Sequence, residues 1–174
     1  MNKNELRKFY KIVRKNIENK EEQNSIILNK VIANKKVLDS STLLIYVSFN
    51  DEVDTINIIK YFLGKKKIAV PKIEDNTMNF YYINSLNDLK PGYFNILEPA
   101  TNLKVETFTN TTCIVPAICY DSNNYRVGYG KGFYDKFLTN KNIYTIGISY
   151  KETLINKIPI DKYDINLNEV ISPF

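Results

Sequence analysis

Four short runs, at residues 43–47, 67–70, 112–116 and 143–149, constrain this chain most. All four read as strands, and the first two are short, mainly apolar runs that do not alternate with polar positions. A strand covered on both faces gives that pattern, because neither face then needs polar side chains. The segments around them carry helical spacing instead. Leu6, Phe9, Tyr10, Val13 and Ile17 recur on one face of a first helix. Ile27, Val31 and Ile32 do so within residues 21–36. Ile56, Ile59 and Phe62 or Leu63 do so after Thr55, whose hydroxyl suits a helix N-cap. The order α-α-β-α-β implies a parallel strand pair joined by a right-handed crossover. Residues 78–83 read as a further strand, 84–99 as a loop turning at Pro91-Gly92, and 121–124 as turn chemistry. The expected fold is α/β with a mostly parallel central sheet and an N-terminal helical segment. Such sheets bind ligands at the carboxyl ends of their strands, which directs attention to the turns after Val47, Val70 and Pro116.

Composition narrows the function. At 174 residues the chain fits one domain spanning 1–174. No apolar run approaches the roughly 20 residues of a membrane helix, and the polar N-terminus does not read as a secretory signal. A soluble, cytoplasmic protein with no membrane partner is expected. The net charge of +5 favours anionic ligands such as nucleotides or polyglutamates and is compatible with nucleic acid, although the lysines are scattered. There is no His, which excludes imidazole acid–base chemistry, Ser-His-Asp triads and His-built zinc sites. Cys113 and Cys119 cannot close a zinc site and suggest no disulfide framework; Cys113, inside an apolar run, reads as a buried thiol.

Residues 126–135, with sequence RVGYGKGFYD, concentrate the chemistry. Gly128, Gly130 and Gly132 permit close backbone approach to a ligand. Arg126 and Lys131 supply charge suited to phosphate, and Asp135 can hold a phosphate-borne metal ion. The segment follows a strand and loop and leads into a helix near Gly132, marked by the pairs Phe133/Phe137 and Tyr134/Leu138. It is not a P-loop, since Gly132 stands where Ser or Thr belongs after the lysine. It is not a dinucleotide fingerprint either, since Phe133 replaces the third glycine. Two other readings stand beside the phosphate site. One is a glycine turn that only permits tight packing. The other is the aromatic strand of an RNA-recognition module, which residues 131–137 match at first and then fail at Tyr134 and Asp135.

With Val115-Pro116, Tyr120-Asp121 and the 126–138 block (RVGYGKGFYDKFL), the chain resembles the 5-formyltetrahydrofolate cyclo-ligases, also called 5,10-methenyltetrahydrofolate synthetases. Segments 3–7 (KNELR), 46–52 (YVSFNDE) and 158–164 (IPIDKYD) agree, as do Val70-Pro71 and Glu98-Pro99, so the resemblance covers nearly the whole chain. It implies a single-domain, three-layer α/β/α fold. It also implies an enzyme that uses ATP and Mg²⁺ to convert 5-formyltetrahydrofolate into 5,10-methenyltetrahydrofolate, ADP and phosphate, by moving the γ-phosphoryl group to the formyl oxygen.

By matching position, the resemblance gives Lys131 and Arg126 the catalytic role of clamping the transferring phosphoryl group. ATP contacts fall on Lys3, Arg7, Arg126, Gly128, Gly130, Lys131, Gly132 and Tyr134. Folate contacts fall on Val47, Glu52, Tyr129, Gly130 and Phe133, with Glu52 accepting the pterin's N–H groups. Asp135 and Asp164 take the metal. For Lys3, Glu52 and Asp164 the alternative is a solvated surface charge, and for Phe133 it is core packing. Two positions depart from the family. Ala117 stands where Gly usually follows Val-Pro, which would be strained if φ there were positive. Asn168 stands where a second acidic residue is common, which leaves Asp164 as the candidate ligand. ATP and 5-formyltetrahydrofolate, with or without a polyglutamate tail, are the expected partners, with no nucleic acid and a monomeric chain. A non-catalytic folate- or nucleotide-binding protein is the alternative function.

Overall fold

The computed structural model describes all 174 residues. Helix α1 (Lys3–Lys15) begins with a reciprocal cap: the Asn2 side chain accepts from the Glu5 N–H at 2.9 Å, and the Glu5 carboxylate accepts from the Asn2 N–H at 2.8 Å. Helix α2 (Lys20–Ile32) stops four residues short of its expected end. Asn34 breaks it and caps a separate short helix, α3 (Lys35–Asp39), by accepting from the Val37 N–H at 3.1 Å. Strand β1 (Thr42–Ile45) and helix α4 (Ile56–Phe62) follow. Thr55 precedes α4 but does not cap it with its hydroxyl, which donates to the Tyr46 carbonyl at 2.6 Å and accepts from the Ser48 N–H at 2.8 Å. Asp54 supplies the cap, its carboxylate accepting from the Ile56 N–H at 3.0 Å and the Asn57 N–H at 3.4 Å.

The remaining large elements are β2 (Lys67–Glu74), β3 (Thr77–Ile83), the short pair β4 (Leu89–Pro91) and β5 (Leu97–Pro99), β6 (Thr111–Val115), β7 (Cys119–Asp121), β8 (Arg126–Val127), α5 (Phe133–Leu138), β9 (Tyr144–Ile148), β10 (Leu154–Ile155) and β11 (Glu169–Ile171). The central sheet runs β11-β9-β6-β1-β2-β3. Every neighbouring pair in it is parallel except β2–β3. That pair is a hairpin whose turn residues, Asp75 and Asn76, have φ of 49° and 59°. Two consecutive left-handed residues suit the right-handed twist of the strands they join. The 84–99 segment, expected as loop, contains the β4–β5 ladder.

The register explains the unalternating runs. Leu43 and Ile45 face a core with Ile27 and Val31 of α2 and Ile58, Ile59 and Phe62 of α4. Leu44, between them, faces the opposite core with Cys113, Val115 and the α5 residues Phe137 and Leu138. Both faces are dry, giving the three-layer arrangement. A smaller cluster of Leu6, Cys119, Val127 and Ile158 seats α1 on a second sheet, β10-β7-β8, that the sequence did not announce. No helix is long and apolar enough to cross a membrane.

Candidate active site

A cleft of about 2900 Å³ opens at the carboxyl ends of the parallel strands. Its walls come from α1, the 46–52 turn, the β2–β3 hairpin, the 93–98 turn, the glycine segment and the 159–165 loop. A pocket for one small molecule is typically about 300–1,000 Å³, so this space admits two substrates side by side. Lys3, Arg7, Val47, Glu52, Arg126, Gly128, Tyr129, Gly130, Lys131, Gly132, Phe133, Tyr134, Asp135 and Asp164 all line it. Residues more than 120 positions apart in the chain thus share one cavity because α1 packs beside the glycine segment.

Each glycine of that segment has its own geometry. A Cβ at Gly128 would lie 2.6 Å from the Arg126 Nη1, so the missing side chain makes room for the guanidinium. Gly130 and Gly132 have φ of 98° and 70°, which L side chains rarely adopt. Gly132 opens α5, which has only six residues, so the surrounding cations do more than a helix dipole to favour anions.

The basic and acidic residues meet each other in pairs. Arg126 is nearly buried; its Nη2 lies 3.3 Å from the Asp135 carboxylate, its Nη1 donates to the Pro116 carbonyl at 3.3 Å, and it sits over the Tyr134 ring. Lys3 bridges the carboxylates of Asp161, at 2.8 Å, and Asp164. Burial alone would lower the Lys3 pKa, but the hydrogen bonds to these two aspartates outweigh it and raise it. Arg7 donates from Nε to the Gly128 carbonyl at 2.9 Å and from Nη1 to Asn4 at 2.6 Å. Lys131 differs: it is exposed on the cleft wall and its ammonium has no protein partner. No three His, Cys, Asp or Glu side chains converge to form a metal-binding cluster.

A second group of cleft residues is built around Glu52. One carboxylate oxygen accepts from the Phe49 N–H at 2.8 Å and the other from the Tyr129 hydroxyl at 2.6 Å. Burial raises the Glu52 pKa, opposed by those two donors and by the Arg14 charge. Val47 is buried in the core beneath. Phe133 and Tyr134 pack against the second core while lining the cleft, so packing and site wall are combined in both. The Tyr134 hydroxyl is buried without a partner, and burial pushes its pKa well up.

The two departures have local explanations. Ala117 does not have a positive φ, so its methyl group is unstrained. Asn168 lies outside the cleft and ties β9 to the segment before β11: its Oδ1 accepts from the Thr145 N–H at 2.8 Å and hydroxyl at 3.0 Å. Sequence reading passed over Arg14, Asp161 and the exposed aromatics Tyr93 and Phe94, all of which line the cleft. Arg14 had a signal. Lys3, Arg7 and Arg14 are spaced i, i+4, i+11, which places them on one face of a helix.

The chain is similar to known proteins over nearly its whole length. The chain is 27% identical to a probable 5-formyltetrahydrofolate cyclo-ligase of Caenorhabditis elegans, across 97% of this chain and 91% of the relative. It is 28% identical to the 5-formyltetrahydrofolate cyclo-ligase of Mus musculus, across 86% and 81%. The solved structure of Aquifex aeolicus 5,10-methenyltetrahydrofolate synthetase superposes with a TM-score of 0.87 at 27% identity, covering 98% of this chain and 89% of that one. A Mycoplasma pneumoniae 5,10-methenyltetrahydrofolate synthetase shares the fold with a TM-score of 0.80 at 23% identity, covering all of both chains. A model of the 5-formyltetrahydrofolate cyclo-ligase family matches residues 1–173, and the chain belongs to that family.

Proposed function

We propose that this protein closes 5-formyltetrahydrofolate to 5,10-methenyltetrahydrofolate with ATP as the co-substrate. The observation that carries the reading is a single cleft lined both by phosphate chemistry, in Arg126, Lys131 and Asp135, and by a carboxylate with free lone pairs for ring N–H groups, in Glu52. Each Glu52 oxygen already accepts one hydrogen bond and keeps a second lone pair, enough for paired donors from a pterin. Tyr129, bonded to Glu52, and Phe133 line the same cleft.

A formamide oxygen is a poor leaving group, so N10 cannot displace it unaided. Transfer of the γ-phosphoryl group breaks its bond to ADP and forms a bond to the formyl oxygen. N10 then attacks the formyl carbon and loses its proton, the carbon–oxygen bond breaks, and phosphate departs. Phosphoryl transfer needs positioning and charge stabilisation more than acid–base chemistry, which suits a chain with no His. Lys131, free of protein partners, is the mobile cation for the transferring group. Arg126, fixed by Asp135 and Pro116, is the static one. Arg7 and Lys3 hold the rest of the triphosphate.

Mg²⁺ usually keeps only one or two protein carboxylates and takes its other ligands from phosphates and water, so a site lacking a three-residue cluster fits it. Asp135 and Asp164 would hold it, in competition with Arg126 and Lys3. When bound, the ion supplies neutralisation of phosphate charge. Methenyltetrahydrofolate absorbance should rise only when protein, ATP, Mg²⁺ and 5-formyltetrahydrofolate are all present. Tight folate binding with no product and no ATP consumption would instead favour a non-catalytic binding protein.

A further inference from the structure

We propose that Arg14 is a positioning residue for the folate end of the cleft, acting on Glu52 through the Tyr129 hydroxyl. The proposal rests on the reading of Glu52 as the folate-binding carboxylate. The Arg14 residue is 7% exposed, rare for an arginine. Its Nη2 donates to the Tyr129 hydroxyl at 3.0 Å, and that hydroxyl donates to Glu52 at 2.6 Å. Its Nη1 donates to the Ala117 carbonyl at 3.1 Å, just after β6, so the guanidinium is anchored to the sheet. The Nε is buried with no partner. A structural arginine would be expected to satisfy all its donors; this one leaves a donor unpaired while spending another on a cleft side chain.

Direction matters in this chain of bonds. Because Arg14 can only donate, the Tyr129 oxygen must accept from it, and its single proton is then committed to Glu52. Without Arg14 the hydroxyl could rotate and its ring, 43% exposed, could swing into the folate space.

The surrounding charges give Arg14 a second effect. The Glu52 charge is felt by Tyr46 in the turn after β1, by Tyr120 of β7, by Tyr129 and by Tyr134 of α5, and the Tyr150 hydroxyl donates to the Glu52 backbone carbonyl at 3.3 Å. Each of these phenols has a raised pKa and is neutral at neutral pH. Lys11 lies 5.7 Å over the Tyr129 ring from the exposed side, and neighbouring Asp51 is paired with Lys20 at 3.0 Å. Arg14 is therefore the buried cation that helps keep Glu52 ionised against its desolvation.

The sign follows. Glu52 accepts ring N–H groups when ionised, so folate affinity is full above its pKa and falls as pH drops through it. Removing Arg14 raises that pKa and moves the fall-off to higher pH. The test is equilibrium binding of 5-formyltetrahydrofolate without nucleotide, followed by protein fluorescence across pH 5–9, with Mg²⁺·ATP binding measured in parallel. Arg14→Met should weaken folate about tenfold or more at neutral pH and move the acid limb up by about one unit, with nucleotide affinity retained. Arg14→Lys should restore most of the loss. Tyr129→Phe, a mild change at a partly exposed ring, should move the limb in the same direction, and Arg14→Gln, with the same expected shift, decides the matter if Arg14→Met does not fold. An unmoved acid limb in these variants, or equal losses for folate and nucleotide, overturns the proposal. Glu52→Gln separates the two layers: a large folate loss there with no effect of Arg14 sinks only the role of Arg14, whereas wild-type binding by Glu52→Gln sinks the folate reading of Glu52 as well.

Discussion

Lys131 and Arg126 sit five residues apart in one motif, yet their surroundings are opposite. Arg126 is held by a carboxylate and a carbonyl, whereas Lys131 projects from the cleft wall with no protein partner. Lys131→Ala should therefore leave stability within about 0.5 kcal/mol of wild type, as for an ordinary surface change. Its kcat should drop on the order of 10²–10³-fold, the cost of losing one preorganised charge at a transition state. Thermal unfolding beside steady-state kinetics checks both halves, and near-normal turnover would remove Lys131 from the mechanism. The glycine segment from Arg126 to Asp135 was legible at this scale, because a glycine-rich run with two cations and a carboxylate is unusual chemistry, whereas Lys3, Arg7, Val47, Glu52 and Asp164 came only from the resemblance. Arg14 carried only the weak signal of sharing a helix face with Lys3 and Arg7, since a basic residue on a polar helix reads as solvated until the fold shows what covers it.

Short elements are held in place by side chains more than by their own ladders. Asp121, at the end of β7, is 3% exposed and gathers three backbone donors: the Asn123 and Tyr125 N–H groups on one oxygen and the Ile158 N–H on the other, each at 2.9 Å. One carboxylate thus fixes the turn that delivers Arg126 and joins it to the irregular segment after β10 that leads toward Asp161 and Asp164. Asp121→Ala leaves these donors without partners and should cost on the order of 3 kcal/mol. It would appear as a lower urea midpoint with an unchanged m-value. A midpoint equal to wild type would mean that water replaces the carboxylate without penalty. The sequence marked Tyr120-Asp121 as part of a motif and 121–124 as turn chemistry, but strands of two or three residues such as β8 and β10 carry no readable periodicity. Helix ends were misjudged for a related reason: Asp54, Thr55 and Asn34 are all capping residue types, and only the tertiary context shows which group each one bonds.

At the scale of the whole molecule, the two dry faces of the sheet set both the fold and the fate of the thiols. Cys113 and Cys119 are fully buried, and burial pushes Cys119 up to about 12 and Cys113 higher. The reactive form of cysteine is the thiolate. The native protein at pH 8 should accordingly resist a thiol reagent such as dithionitrobenzoate, and both cysteines should react together on unfolding in urea. Rapid labelling of either without denaturant would contradict the packing described here. The unalternating runs were enough to announce a parallel sheet buried on both sides. They could not give the strand order or the antiparallel β3, because the Asp75-Asn76 turn lacks the glycine that usually flags such a hairpin. The same packing brings α1 beside the glycine segment and so assembles one cleft from distant parts of the chain.

The central claim is that a phosphoryl group passes within that cleft from ATP to the formyl oxygen. Turnover with 5-formyltetrahydrofolate carrying ¹⁸O in its formyl group tests this directly, with the released phosphate read by mass spectrometry. Transfer to the formyl oxygen predicts one labelled oxygen in each phosphate, matching the methenyl product formed. Phosphate free of label alongside normal product would contradict it.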